Sequence, residues 1–279
     1  MKSQYGKREK KNDKDQFYTD PVWAKKFIKK VDELYGLSTF DLIIEPSAGL
    51  GAFLNNLPDN AIGYDLEPKC PRCTEQDFYT VYPDMDKSNI LVIGNPPFGR
   101  VCSDAVGFFN HAAKWANVIA FIIPQTFHRV SLHNRLDENF HLTFNEDIDG
   151  CIFDPPMNAK CCFQVWEKRE YKRDKIKLET THKDWQFLPF GPLDANNQPT
   201  PPKGASFAIR AYGGKIGDIV TEGLEDLRPK SWHWIKTNNK DELIKRFNSL
   251  DYSVSLKTVR QNSLGRGELV KIYVDKYGQ

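Results

Sequence analysis

The sequence predicts an α/β fold, a doubly wound, mostly parallel sheet with a small C-terminal α+β appendage. Three observations predict it. Short apolar runs alternate with segments of helical spacing from Asp20 to about Trp166. The runs are continuous, as in strands buried on both faces. After residue 168 the pattern dissolves into charge, then into a loop rich in Pro, Asn and Gly, and only scattered elements follow.

The elements follow in order. Residues 1–14 have no apolar periodicity and read as a basic, disordered arm. Asp20-Pro21 is an N-cap and N1 pair that opens a helix. Val22, Trp23, Phe27, Val31 and Leu34 keep helical spacing to Tyr35, and Gly36 ends it. Phe40 to Ile44 is a first strand. The turn Glu45 to Gly51 and a short helix, Ala52 to Leu57, follow. Ala61 to Tyr64 is a second strand, and Gln76-Asp77-Phe78 marks the end of a third. Ile90 to Ile93 is the fourth, Ser103 to Ala116 a helix, and Val118 to Ile123 the fifth strand, closed by Pro124. Phe140 to Phe144, Gly150 to Phe153 and Cys161 to Trp166 complete this part. Beyond it, Ala205 to Tyr212 and Leu269 to Val274 read as strands and Asp241 to Leu250 as a helix. The expected division is an arm at 1–14, a main domain at 15–170 and a basic region at 171–279.

Bulk properties narrow the function. The 279 residues, 40% hydrophobic, suffice for one large domain or a medium one with a smaller partner. No apolar run approaches the roughly 20 residues that span a bilayer. The Lys-rich start lacks the apolar core of a secretory signal, so the expected location is intracellular, cytoplasmic or nuclear. Six cysteines in such a chain do not suggest a disulfide framework. The net charge of +2 hides a segregation: +4 over 1–14, −9 over 15–167 and +7 over 168–279. An acidic body with basic flanks suits an enzyme that holds a polyanion, although solvated faces alone also produce charge runs.

Four stretches carry chemistry. In Glu45-Pro46-Ser47-Ala48-Gly49-Leu50-Gly51 the glycines permit a tight turn and close ligand approach. The leading acid is badly placed for a diphosphate and well placed for a cationic ligand. Asp65 ends the second strand, where an acid commonly takes ribose hydroxyls. Asp77-Phe78 pairs an acid with a ring that could stack on a purine, or is simply a turn acid beside a core Phe. Asn95-Pro96-Pro97-Phe98 ends the fourth strand. Its prolines cannot continue a sheet and fix the loop. The Asn95 side-chain oxygen and the Pro96 carbonyl offer two acceptors for an amino group, and Phe98 offers a ring to stack on a base.

Weaker features stay outside this set. Cys70-Pro71-Arg72-Cys73 has zinc-ligand spacing without a second pair, and Cys161-Cys162 alternate across a strand, so no metal site is expected. Trp232 and Trp234 in SWHWIK could stack on bases but read rather as core. Lys203, Arg210 and Lys215 near glycines could touch phosphates.

Gln16-Phe17-Tyr18-Thr19, then Glu45, Gly49 and Gly51, then Asp65, Asp77-Phe78 and Asn95 to Phe98, taken in that order, resemble the Rossmann-like class I S-adenosylmethionine-dependent methyltransferases. More narrowly they resemble the N6-adenine nucleic-acid methyltransferases, over roughly residues 16–168. The resemblance implies S-adenosyl-L-methionine as cofactor and DNA or RNA as partner, DNA slightly favoured, with no membrane. It implies that Phe17, Tyr18 and Thr19 lie over the methionine part, and that Glu45, Ser47 and the Gly49 to Gly51 backbone hold its amino-acid end. Asp65 would take the ribose, Asp77 and Phe78 the adenine. Asn95, Pro96, Pro97 and Phe98 would hold the target base, with Asn95 also against the cofactor. RNA adenosine methylation, protein glutamine N5-methylation and a silent binding module are the alternatives. The basic flanks weigh against the glutamine reading, and the intact motif set against the silent module.

Overall fold

A computed structural model describes residues 17–84, 86–156, 159–258 and 261–278. The basic arm and Gln16 lie outside them. The chain forms two compact units. One runs to Pro124 and resumes over Arg135–Arg173; the other comprises Gln125–Asn134 and Asp174–Gln279.

The first unit contains β1 (Tyr18–Thr19), α1 (Pro21–Tyr35), β2 (Leu42–Glu45), β3 (Ala61–Asp65), β4 (Cys73–Glu75), β5 (Ile90–Gly94), α2 (Ser103–Ala112), β6 (Val118–Pro124), β7 (Phe140–Ile148), β8 (Phe153–Asp154) and β9 (Cys161–Lys168). Seven strands form one sheet in the order β4-β3-β2-β5-β6-β9-β7. The strands from β4 to β6 are parallel, and β9 enters antiparallel between β6 and β7. This is the doubly wound, mostly parallel architecture predicted. β2, β5 and β6 are buried at every residue, which explains their unbroken apolar runs.

α1 begins and ends where the sequence places it. The Asp20 carboxylate accepts from the Val22 N–H at 2.8 Å, and Gly36, at φ 73°, donates back to the Asp32 carbonyl. Its apolar stripe, Ala24, Phe27, Ile28 and Val31, is buried against the sheet. Phe27 stacks on Phe163 of β9 with centroids 4.2 Å apart. Truncating it to Ala would cost about 3–5 kcal/mol.

Other elements depart from the expectation. The helix at Ala52 to Leu57 is one 3₁₀ turn, Leu54–Asn56. α2 stops at Ala112, and Ala113 to Trp115 continue only as a turn. Of Gly150 to Phe153, only Phe153 is in a strand; β8 leaves the main sheet and pairs antiparallel with β1.

The second unit contains α3 (Val130–His133), β10 (Gln186–Phe187), β11 (Phe207–Arg210), β12 (Ile219–Val220), β13 (Trp232–Lys236), α4 (Lys240–Asn248) and α5 (Arg266–Tyr277). Its sheet is antiparallel, in the order β10-β13-β11-β12. The expected strand at Leu269 to Val274 is instead the middle of α5. Leu269, Val270 and Tyr273 are buried at helical spacing, and the Gly265 N–H donates to the Glu268 carboxylate as a capping contact. Trp232 and Trp234 lie on one face of β13 and pack with Ala208, Leu224 and Leu227, so both indoles are core. The opposite face carries Phe207, Ile209 and Ile235 against Leu243, Phe247 and Leu269.

Candidate active site

Strand order reverses between β2 and β5, whose neighbours lie on opposite sides. Ligands in open α/β sheets bind outside the carboxyl ends of strands at such a point. The loops leaving β2, β3 and β5 carry most of the residues singled out in the sequence. Hydrogen bonds tie them together.

The loop after β2 is shaped from inside. Glu45 is 2% exposed, and its Oε2 accepts from the Leu54 N–H at 2.7 Å. Burial pushes its carboxyl well above the usual range, against the opposing pull of the Leu54 N–H. Glu45, expected from the sequence to face a cationic ligand, is enclosed here, and its Oε2 holds the backbone of the turn. Gly49, at φ 52°, supplies the close approach. A Cβ there would stand 2.9 Å from the Tyr18 ring.

Asp65 stands at the end of β3. Its Oδ2 accepts from the Gly49 N–H and its Oδ1 from the Glu67 N–H, both at 2.8 Å. A carboxylate has about four lone-pair sites, so two such bonds leave capacity for a diol. Asp65 thus fixes the glycine turn while remaining able to accept from a ligand.

Asn95 is half-buried just past β5. The Ser47 hydroxyl donates to the Asn95 backbone carbonyl at 2.8 Å, stitching the β2 and β5 loops together. The Asn95 Nδ2 donates to the Phe17 carbonyl at 3.2 Å, which fixes the amide's orientation. Its Oδ1 is buried and has no hydrogen-bond partner. Orphaned buried acceptors are rare and call for an explanation. Phe98 is partly buried and meets Phe153 edge to face at 6.1 Å, and Phe17 meets the same ring at 6.4 Å.

The structure therefore brings these residues together: hydrogen bonds join Asp65 to Gly49, Ser47 to Asn95 and Asn95 to Phe17, and the Tyr18 ring packs against Gly49. Thr19 is buried beside them in β1, opposite Phe153. Gly51 is packed against Cys70, whose Sγ would lie 2.6 Å from a Cβ there. Pro96 is buried and Pro97 half-buried in the rigid stretch before Phe98. Asp77 and Phe78 belong elsewhere in part. Asp77 caps the following turn, accepting from the Tyr79 N–H at 3.0 Å. The Phe78 ring is 2% exposed, stacked on Phe108 and edge-on to His111 and Trp115. The ring expected to stack on a purine thus lies in an aromatic cluster of the core.

Two residues were missed in the sequence. Phe153 links the Phe17 and Phe98 rings, and only its weak strand signal had drawn notice. Lys69 bonds the Tyr18 hydroxyl and lies 5.0 Å over its ring, and that bond holds its ammonium above the usual range. A cavity of about 460 Å³ takes in Tyr18, Thr19 and Gly51 together with Lys25, Asn55 and Asp154, and reaches neither Asp65 nor Asn95. Among the described residues no helix is long and apolar enough to cross a membrane.

No family model and no curated protein matches the chain. Solved structures do. The 23S rRNA methyltransferase ErmE aligns at TM-score 0.41 and 16% identity, over 56% of this chain and 71% of its own. A candidate RNA methyltransferase from Pyrococcus horikoshii aligns at 0.45 and 15%, over 59% and 92%. Magnesium protoporphyrin IX methyltransferase from Synechocystis PCC 6803, solved with bound SAM, aligns at 0.40 and 11%, over 53% and 81%. The strand order and pairing themselves define the fold.

Proposed function

We propose that the chain is an S-adenosylmethionine-dependent methyltransferase that methylates adenine N6 in a nucleic acid, DNA slightly favoured over RNA. One observation carries the reading. Asn95 presents a buried, unpartnered Oδ1 from a rigid loop at the switch point of the sheet, with its Nδ2 already committed to Phe17. Such an acceptor suits an amino group brought in from outside.

The residues present fit the cofactor. Asp65 retains acceptor capacity beside the Gly49 turn, Tyr18 walls that turn, and Ser47 joins it to Asn95. S-adenosylmethionine supplies an electrophilic methyl on a sulfonium. The chain aligns and polarises the acceptor nitrogen. The Asn95 Oδ1 and the Pro96 carbonyl would accept hydrogen bonds from the two amine N–H groups, drawing the lone pair out of conjugation with the ring, and one of those protons passes to water once the nitrogen carries the methyl. Phe98 supports the base, which must leave its stack to reach the loop. Preorganised acceptors need no reorganisation as positive charge grows on the nitrogen.

The basic charge after residue 168 supports a polyanionic substrate. With both tryptophans of β13 in the core, backbone charge rather than indole stacking is the basis of that support.

The test is direct. The protein is incubated with labelled methyl donor and separate DNA, RNA and protein pools, and the modified species is identified. N6-methyladenine in a nucleic-acid pool is expected. Label confined to glutamine in the protein pool would refute the reading.

A further inference from the structure

Just beyond Phe98 the backbone turns left-handed three times, at Gly99 (φ 66°), Val101 (φ 54°) and Cys102 (φ 59°). Glycine does this freely. A β-branched valine does so only under constraint. The constraints are visible. A Cβ on Gly99 would fall 2.3 Å from the Asp104 carboxyl carbon, so the chain closes tightly on that side chain. The Arg135 guanidinium donates to the Val101 carbonyl at 3.4 Å. Cys102 is buried and anchors the start of α2. The tip itself is left in water: Val101 is 71% exposed and Arg100 beside it is exposed. Backbone held in a costly conformation next to a functional loop points to a use for that conformation. Here the result is a branched apolar side chain, held out rigidly beside a guanidinium, three residues past the ring proposed to support the base.

We infer that Val101 is a wedge that enters the base stack vacated by the target adenine, with Arg100 placed for a neighbouring phosphate. The inference rests on the nucleic-acid reading above and narrows it: the target adenine lies in a paired helix, DNA or RNA. Extruding a base from such a helix costs unstacking energy, and apolar side chains inserted between base steps hold the opened stack. A rigid backbone and a single side-chain rotor suit the task, since little freedom is lost on insertion. Val101 is a positioning residue and touches no reacting atom.

The test uses Val101→Gly in the full chain. Glycine accepts the left-handed turn, so the variant should unfold at the wild-type temperature or above it. Methylation is measured on oligonucleotides of one sequence, with the target adenine paired or left single-stranded, as DNA and as RNA. Extrusion is followed by 2-aminopurine fluorescence at the target position. The expected result is a loss of about tenfold or more in kcat/KM on the paired target and a change within about twofold on the unpaired one, with a weaker fluorescence rise on binding. Val101→Leu should recover much of the paired activity. Equal loss on both targets, no loss on the paired one, or a wild type that accepts only unpaired adenine overturns the wedge. A wild type inactive on every nucleic acid refutes the methyltransferase reading, and the wedge with it.

Discussion

Asn95→Ala separates the chemistry of the site from its stability. The substitution removes the bond from Nδ2 to the Phe17 carbonyl, at 3.2 Å near the long end of the range, for a cost of about 0.5–1.5 kcal/mol. It also removes a buried Oδ1 without a partner, whose burial costs about 1–3 kcal/mol. The two terms oppose each other, so folding stability should stay within about 2 kcal/mol of wild type. Turnover should not. Losing one preorganised group at the developing charge costs about 2.7–4 kcal/mol of transition-state stabilisation, a fall of roughly 100- to 1000-fold in kcat. The assay is methyl transfer under saturating cofactor, with urea unfolding and calorimetric cofactor titration on the same preparation. Near-wild-type turnover would sink the proposed role of the amide. A stability loss well above about 3 kcal/mol would show that the amide is structural and that the orphaned oxygen had been misread.

Three further outcomes are expected. Asp65→Ala should raise the cofactor KM by about 10- to 100-fold with a smaller effect on kcat, because one or two charge-assisted bonds of about 1.5–3 kcal/mol are lost together with the tether on Gly49; an unchanged KM would remove Asp65 from the cofactor site. In the second unit the Arg129 guanidinium forks onto Glu268 and also reaches the Ser263 hydroxyl at 2.7 Å, with both charged side chains largely buried. Arg129→Met should therefore lower the protection of α5 amides in hydrogen exchange by about 3 kcal/mol, and unchanged protection would show the pair to be neutral. His233 donates from Nε2 to the Leu264 carbonyl at 2.8 Å, and burial pushes its imidazole down to about 4 from an ordinary 6.5. Its neutral form contributes stability that is complete above pH 6.5 and lost as pH falls towards 4, so the unfolding temperature should drop across that window and His233→Gln should flatten the drop; an unaltered pH profile in the variant would contradict this.

Much of the first unit was legible because its signals are local. A capping acid, a proline at N1 and a terminal glycine bound α1 without reference to the rest of the chain. Strands buried on both faces announce themselves as unbroken apolar runs. The misreadings came where local signals are degenerate. Leu269 to Val274 is too short an apolar run to separate strand from helix by period, and the Gly265–Glu268 contact that opens α5 fell outside it. The tryptophans of SWHWIK could be assigned to core or to a ligand only once β13 had neighbours.

The site divides along the same line. Which residue types stand at the strand ends is a property of the sequence, and Glu45, Asp65 and Asn95 were found there because strands end where prolines, glycines and acids interrupt apolar runs. What each side chain is free to do is decided by long-range packing. Three acids at comparable positions take different roles: Glu45 is sealed beneath the turn, Asp77 caps one, and Asp65 holds Gly49 with lone pairs to spare. The Phe17 carbonyl, 78 positions away in sequence, commits one end of the Asn95 amide and leaves the other unpartnered. Hydrogen-bond satisfaction is a count over all neighbours in space, so no reading of the chain one residue after another could have shown which acceptor would be left over.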